Sequence, residues 1–510
     1  MHCLLYRSAG MRISTTLKGG FVVKKIISFA LALVMVLSMC SFAIAEEPVT
    51  IVFSWMHMNK TIDQDALQTV EDAVNAITEE RIGVHVKLLP IDASNYTTTI
   101  ELMFAGNEQL DLYFPGSLPD AVRKGMAMDI TELAPKYAPD AVAQTGDEVM
   151  KCVTYDGKIW GLPVDKGFVM TPNWLYRVDL AEAAGIDLSN LKDIGDWTDV
   201  FAKFKEAYPE MYPLFIAQGG AGLMNFLQNS DYDSLGDNTG AALIGDTAKE
   251  GKVTNLFESD AFKALAYQIR DWYEAGYISP DAATTTLGDR DAVASDHYWS
   301  YFGGNAGNYF ANEASQNIGY EMGWVQTAKK FVASNSPARV SYAVNSMCEH
   351  PEKALEFLNL TYSDVDIVNL IIYGIEGRDY VLNDKGFVEW PEGLDMNTVP
   401  YTSQFACGVV GSQYKQYELA GVPEDNKAVM AEDDANAERS IALGFTFDNY
   451  AYSTEITMIT NVVNQYLNSL MSGSVDVDST LEAFNKDLYA AGLQTIIDAK
   501  QAQLDAFLGK

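Results

Sequence analysis

Residues 49–117 decide the fold: VTIVF (49–53), DQDALQTVEDAVNAITEER (63–81), HVKLL (85–89), YTTTIELMFA (96–105) and LDLYF (110–114), closed by Pro115, Gly116 and Ser117. In the second piece Leu67, Val70, Val74 and Ile77 recur at three- and four-residue spacing, and Gly83 sits where a helix would stop. The short apolar runs read as strands, the first ending in the polar-aromatic cluster Ser54, Trp55, Met56, His57. The order β, α, β, α, β implies a parallel sheet with helices on its faces, and ligands in such sheets lie beyond the carboxyl ends of the strands. Those ends hold Trp55, a candidate stacking platform, and Phe114 and Ser117, which could offer backbone N–H groups and a hydroxyl.

Upstream of this stretch, Lys24 and Lys25 precede an apolar run over 26–37 and the triplet Ala43, Ile44, Ala45, the pattern of a secretory signal peptide cleaved after Ala45. Leu37, Ser38, Met39, Cys40 also resembles a lipobox, which would anchor the protein by a lipid at Cys40, although Met39 is large for that pattern. Lys18, Gly19, Gly20 is what a translated ribosome-binding site would encode, so the start is expected at Val22 or Val23. The formal charge of the chain is −34. Removing the leader, with its five cations and no acid, leaves about −39, a balance that repels nucleic acid and anionic membranes. Cys152, Cys348 and Cys407 follow the leader with no CxxC or metal-ligand spacing, and are expected as buried small hydrophobes.

Downstream, Asp156 and Gly157 suit a tight hairpin turn. From Phe168 the chain reads as a second, mostly helical lobe, with helices over 178–184, 193–208 and 260–274 and a polar, Gly-rich loop or strand pair over 236–251. Short apolar segments resume over 320–345, and Pro351 opens a further helix over 351–362. The expected organisation is a leader (1–45), a first lobe (46–165), a second lobe (166–315) and return segments completing both lobes (316–510). Near the crossover Asp165 and Lys166 could bind ligand on closure or form a surface salt bridge. Trp299 and Asn305, beside Tyr298, Tyr301, Gly303 and Gly304, have a composition suited to sugar contact, and Gln413 is a further amide candidate.

Late in the chain the residues HPEKALEFLN (350–359), YGIEGRDY (373–380), LGFTFD (443–448) and NVVNQYLNSLMSGSVD (461–476) occur in order, with DGKIWGLP (156–163) earlier. Together they resemble the extracellular solute-binding proteins of bacterial ABC importers, a carbohydrate-type family whose C-terminal third is a domain of unknown function. The resemblance implies an α/β, two-lobed type II periplasmic-binding-protein fold with a ligand cleft between the lobes. It also implies capture of a small nutrient, a sugar or oligosaccharide, for a membrane permease, and it points to Glu376 inside the YGIEGRDY element as a site or hinge residue. The alternatives are a binding protein for peptides, amino acids or polyamines and, more remotely, a carbohydrate-active enzyme. No HExxH, GxSxG or phosphate-loop pattern occurs. The expectation is a secreted or surface-bound monomer without catalytic residues, metal or cofactor.

Overall fold

The first strand, β1 (Val49–His57), is buried along nearly its whole length. Helix α1 (Gln64–Ile82) follows, opened by the Asp63 side chain, which accepts from Ala66 N, and stopped by Gly83 in the left-handed region at φ 64°. Strand β2 (Val84–Asp92), helix α2 (Tyr96–Gly106) and strand β3 (Leu112–Tyr113) complete the expected order. β1 pairs in parallel with both β2 and β3. Helix α3 (Leu118–Arg123) starts five residues beyond β3, capped by Ser117. This computed structural model describes residues 48–57, 62–303, 308–403 and 408–510, so the leader, Asn305 and Cys407 lie outside the described residues.

The hairpin at Asp156 and Gly157 forms, with φ of 52° and 72° at the two turn residues, as a two-residue turn between right-twisted strands requires. After β4 (Leu162–Pro163) the chain leaves the first sheet and builds a second from β5 (Asn173–Arg177), β6 (Tyr212–Phe215), β7 (Tyr298–Gly303) and β8 (Met322–Gln326). Its order is β8-β5-β7-β6, with β7 parallel to β6 and antiparallel to β5. Helices make up most of the regular structure of this region, and what the sequence did not signal are the strands: NWLYR, YPLF and YWSYFG are buried without polar alternation, so their periodicity was silent. The chain then returns as β9 (Ser341–Val344), which inserts antiparallel between β3 and β4, giving the first sheet the order β2-β1-β3-β9-β4.

Two large hydrophobic cores result. The first unites residues from 51–164 with residues from 342–419, including helices α4 (Pro351–Ser363) and α5 (Val365–Tyr373). The second unites residues from 174–302 with residues from 442–504, where helices α6 (Ser453–Met471), α7 (Val477–Ala490) and α8 (Leu493–Leu508) pack on one another. The chain passes between the cores three times, and the passages are hydrogen-bonded side by side: Met170 bridges Phe331, and Phe331 and Val332 pair with Glu438 and Arg439. The Asp434 carboxylate accepts from Phe168 N at 2.7 Å and Val169 N at 3.1 Å. Among the described residues no helix is long and apolar enough to cross a membrane.

Candidate functional site

A cavity of about 310 Å³ opens where β3 ends, lined by Gly116, Ser117 and Asp120 from the first core's side. Across it stand Asp237 and Asn238 on a loop that follows β6, and Phe447 and Asn449 just before α6. Asn335 and Arg339 reach it from the second passage between the cores. A second cavity of about 240 Å³ continues from Gly116, Ser117 and Asp120 toward Tyr96 and Phe114. The polar lining of the first cavity is hydroxyls, amides, carboxylates and the Arg339 guanidinium beside one aromatic ring, Phe447, and segments belonging to both cores contribute to it. Such a surface can exchange hydrogen bonds with a polar, hydroxyl-rich molecule.

One residue of this lining and one buried behind it have distinctive electrostatics. Arg339 is exposed and has no carboxylate partner among the described residues, where the seven other arginines each pair with one. Its planar fork of donors is therefore held in no ion pair among the described residues. On the far wall Lys500 of α8 is fully buried, donating to Ser234 O at 3.1 Å, Ala241 O at 2.8 Å and Asp237 Oδ1 at 2.9 Å. Burial pulls the Lys500 ammonium below its usual range, and the Asp237 charge opposes that fall.

The residues singled out from the sequence separate into groups. Phe114 and Ser117 lie along the cavities: Phe114 N donates to the Tyr96 hydroxyl at 2.9 Å, and Ser117 Oγ accepts from Asp120 N. Asp165, Lys166 and Gln413 are brought together beside the first passage, where Asp165 accepts from Ser412 Oγ and Gln413 N donates to Asp165 O at 2.8 Å. Burial raises the Asp165 carboxyl and lowers the Lys166 ammonium. The two do not form the surface salt bridge considered above. A Cβ built on Gly408 would lie 3.0 Å from Gln413 Oε1 and 3.2 Å from Lys166 Nζ, so those two polar ends converge on one glycine.

Trp55 and Trp299 require correction as cleft platforms, because both are fully buried in this conformation. β1 continues past Phe53 to His57, so Trp55 sits within the strand, stacked on Phe53 with its indole N–H on Ser403 Oγ. Trp299 stacks on Phe204 at 4.4 Å and donates to Arg177 O, inside the second core. Glu376 is exposed on its turn and lines neither cavity, and Asn305 lies outside the described residues. Cys152 and Cys348 are buried and unpaired. Missed from the sequence were Asp237, Asn238, Arg339, Phe447 and Asn449. The LGFTFD motif that contains Phe447 was the available signal for the far wall.

Comparisons with known proteins agree with this architecture. The profile of a family described as bacterial extracellular solute-binding protein matches residues 72–369, and one described as a domain of unknown function, DUF3502, matches residues 441–509. A relative from Streptococcus pneumoniae, a carbohydrate ABC transporter substrate-binding protein, is 24% identical over 87% of this chain and 89% of its own length. The crystal structure of the N-glycan transport solute binding protein NgtS from Streptococcus pneumoniae superimposes with a TM-score of 0.78 at 23% identity, covering 90% of this chain and 99% of that one. An HMO binding, ABC-transporter associated solute binding protein from Bifidobacterium longum infantis gives a TM-score of 0.63 at 17% identity, covering 91% of this chain and 100% of that one.

Proposed function

Because the chain belongs to the family of bacterial extracellular solute-binding proteins, we propose that it captures a sugar or oligosaccharide in the cavity beyond β3 and delivers it to the permease of an ABC transporter. The observation that carries this reading is the cavity lining: polar side chains from both cores and from a passage between them converge on one space. The carbohydrate names of the relatives support the ligand class.

Ligand bridging both walls is held better when the walls are close, so binding shifts the protein toward a closed form by the difference in affinity between the two states. The three hydrogen-bonded passages are where such a rotation is absorbed. The ligand is released unchanged, with no chemical step. The precursor is exported and cleaved after Ala45, or alternatively anchored through a lipid on Cys40, and it acts as a monomer at the cell surface.

A thermal-shift screen of residues 46–510 against mono- and oligosaccharides, peptides and polyamines tests this. A ligand present at a hundred times its Kd adds about 2.7 kcal/mol of stability. Stabilisation by saccharides recovered unchanged supports the proposal, and stabilisation by peptides or polyamines alone overturns it.

A further inference from the structure

Asp237 belongs to the loop that forms the far wall of the cavity, and its hydrogen-bond partners all reach one oxygen. Oδ1 accepts from Lys500 Nζ at 2.9 Å, Thr239 N at 2.9 Å and Thr239 Oγ1 at 2.6 Å. Oδ2 is buried and has no partner among the described residues. Native structures leave few buried acceptors without a donor, because the lost hydration is not replaced. A hydroxyl donated by a ligand would supply the missing bond at the moment of binding.

Lys500 explains why Asp237 stays in place. Its ammonium has three donors, and Ser234 O, Ala241 O and Asp237 Oδ1 take all three. These acceptors bracket the loop, so one buried cation ties its two ends and its middle to α8. The Phe447 ring, which also lines the cavity, lies 5.6 Å from the same nitrogen. Both Lys500 and Phe447 fall within residues 441–509, the region of unknown function.

We propose, building on the sugar-capture reading above, that Asp237 is the cleft's acceptor for a ligand hydroxyl and that Lys500 is the positioning residue that presents it. Residues 441–509 thereby take part in ligand selection as well as in packing the second core.

The test compares residues 46–510 with Lys500→Met, Lys500→Arg and Asp237→Asn in two measurements. The first is amide hydrogen exchange over 234–241. The second is binding to a printed panel of mannose-, glucose-, galactose-, fructose- and N-acetylglucosamine-terminated oligosaccharides. Lys500→Met is expected to speed exchange in the loop at least tenfold while β1 and α1 keep their protection, and to weaken the parent's best glycan at least tenfold. Lys500→Arg is expected to restore part of both. Asp237→Asn, which puts a donor where the acceptor stood, is expected to lower binding at least tenfold and to change the order of preference across the panel.

Unchanged loop exchange in Lys500→Met overturns the positioning role, and an unchanged panel in a folded Asp237→Asn overturns the acceptor role. If Lys500→Met does not fold, Lys500→Gln, whose shorter neutral amide lacks the three ammonium donors, carries the exchange measurement, with unaltered protection the overturning result. A parent that binds no printed glycan overturns the sugar reading and the acceptor role with it, while loop exchange still decides whether Lys500 holds the loop.

Discussion

Trp55 Nε1 donates to Ser403 Oγ at 2.9 Å, joining the first strand of the chain to a segment 348 residues later. The ring is fully buried and stacked on Phe53. Trp55→Ala is therefore expected to destabilise the protein by about 3–5 kcal/mol, the range for removing a buried aromatic side chain. Urea denaturation measures it, and a loss below about 1 kcal/mol would contradict the core placement.

Arg339 tests the cleft without disturbing the fold. It is exposed and without a carboxylate partner among the described residues, so Arg339→Gln is expected to leave the thermal midpoint within about 1–2 °C of the parent. Affinity for the cognate ligand is expected to fall about tenfold, as for loss of a charge-assisted hydrogen bond. Calorimetric titration decides it, and an unchanged Kd removes Arg339 from the binding surface.

Asp289 gives a pH dependence of unusual sign. Burial pushes its carboxyl up to about 6, with Arg290 opposing the rise. With the folded value above the unfolded one, the folded state holds the extra proton between roughly pH 4 and 6, and stability falls as pH rises through that window. Asp289→Asn is expected to remove this loss and to stabilise the protein by about 1–2 kcal/mol at pH 7.5, a figure discounted for partial solvent contact. Denaturation midpoints of both proteins at pH 4.5 and 7.5 are the check: an equal difference at the two values rules the titration out.

Gly411 adopts φ 57°, and a Cβ there would meet Thr361 O at 2.1 Å. Its carbonyl also accepts from Asp165 N at 3.0 Å, where the first passage leaves β4. Gly411→Ala is expected to cost more than about 2 kcal/mol, since strain and a backbone clash act together. A variant as stable as the parent in urea would contradict this geometry.

The βαβαβ unit at 49–117 was legible because helix period, N-cap and C-cap agreed with one another: Asp63 and Gly83 stand at the two ends of α1. The extent of β1 was not legible. Ser54 and His57 looked like the edge of a strand but are buried, and Ser54 Oγ finds the Tyr96 hydroxyl at 2.8 Å, a partner 42 residues away. The aromatic strand YWSYFG was read as a binding cluster because composition alone cannot distinguish a ring facing a ligand from one facing Phe204. Phe114 and Ser117 followed from the rule about strand ends, which is local. Asp237 and Phe447 did not, since they meet only when loops about 200 positions apart are folded onto one wall.

The insertion of β9 between β3 and β4 has a consequence for the order of events during synthesis. β4 pairs with β9 at Ser341 and Tyr342, so the last strand of the first sheet has no seat until some 180 further residues have been made. At elongation rates of about 5–20 residues per second, that is a delay of roughly 10–35 s. Throughout it β3 presents an open edge that no early intermediate can close on its own. A nascent chain built this way stays threadable after its N-terminal third has been synthesised, because that third cannot close its sheet alone.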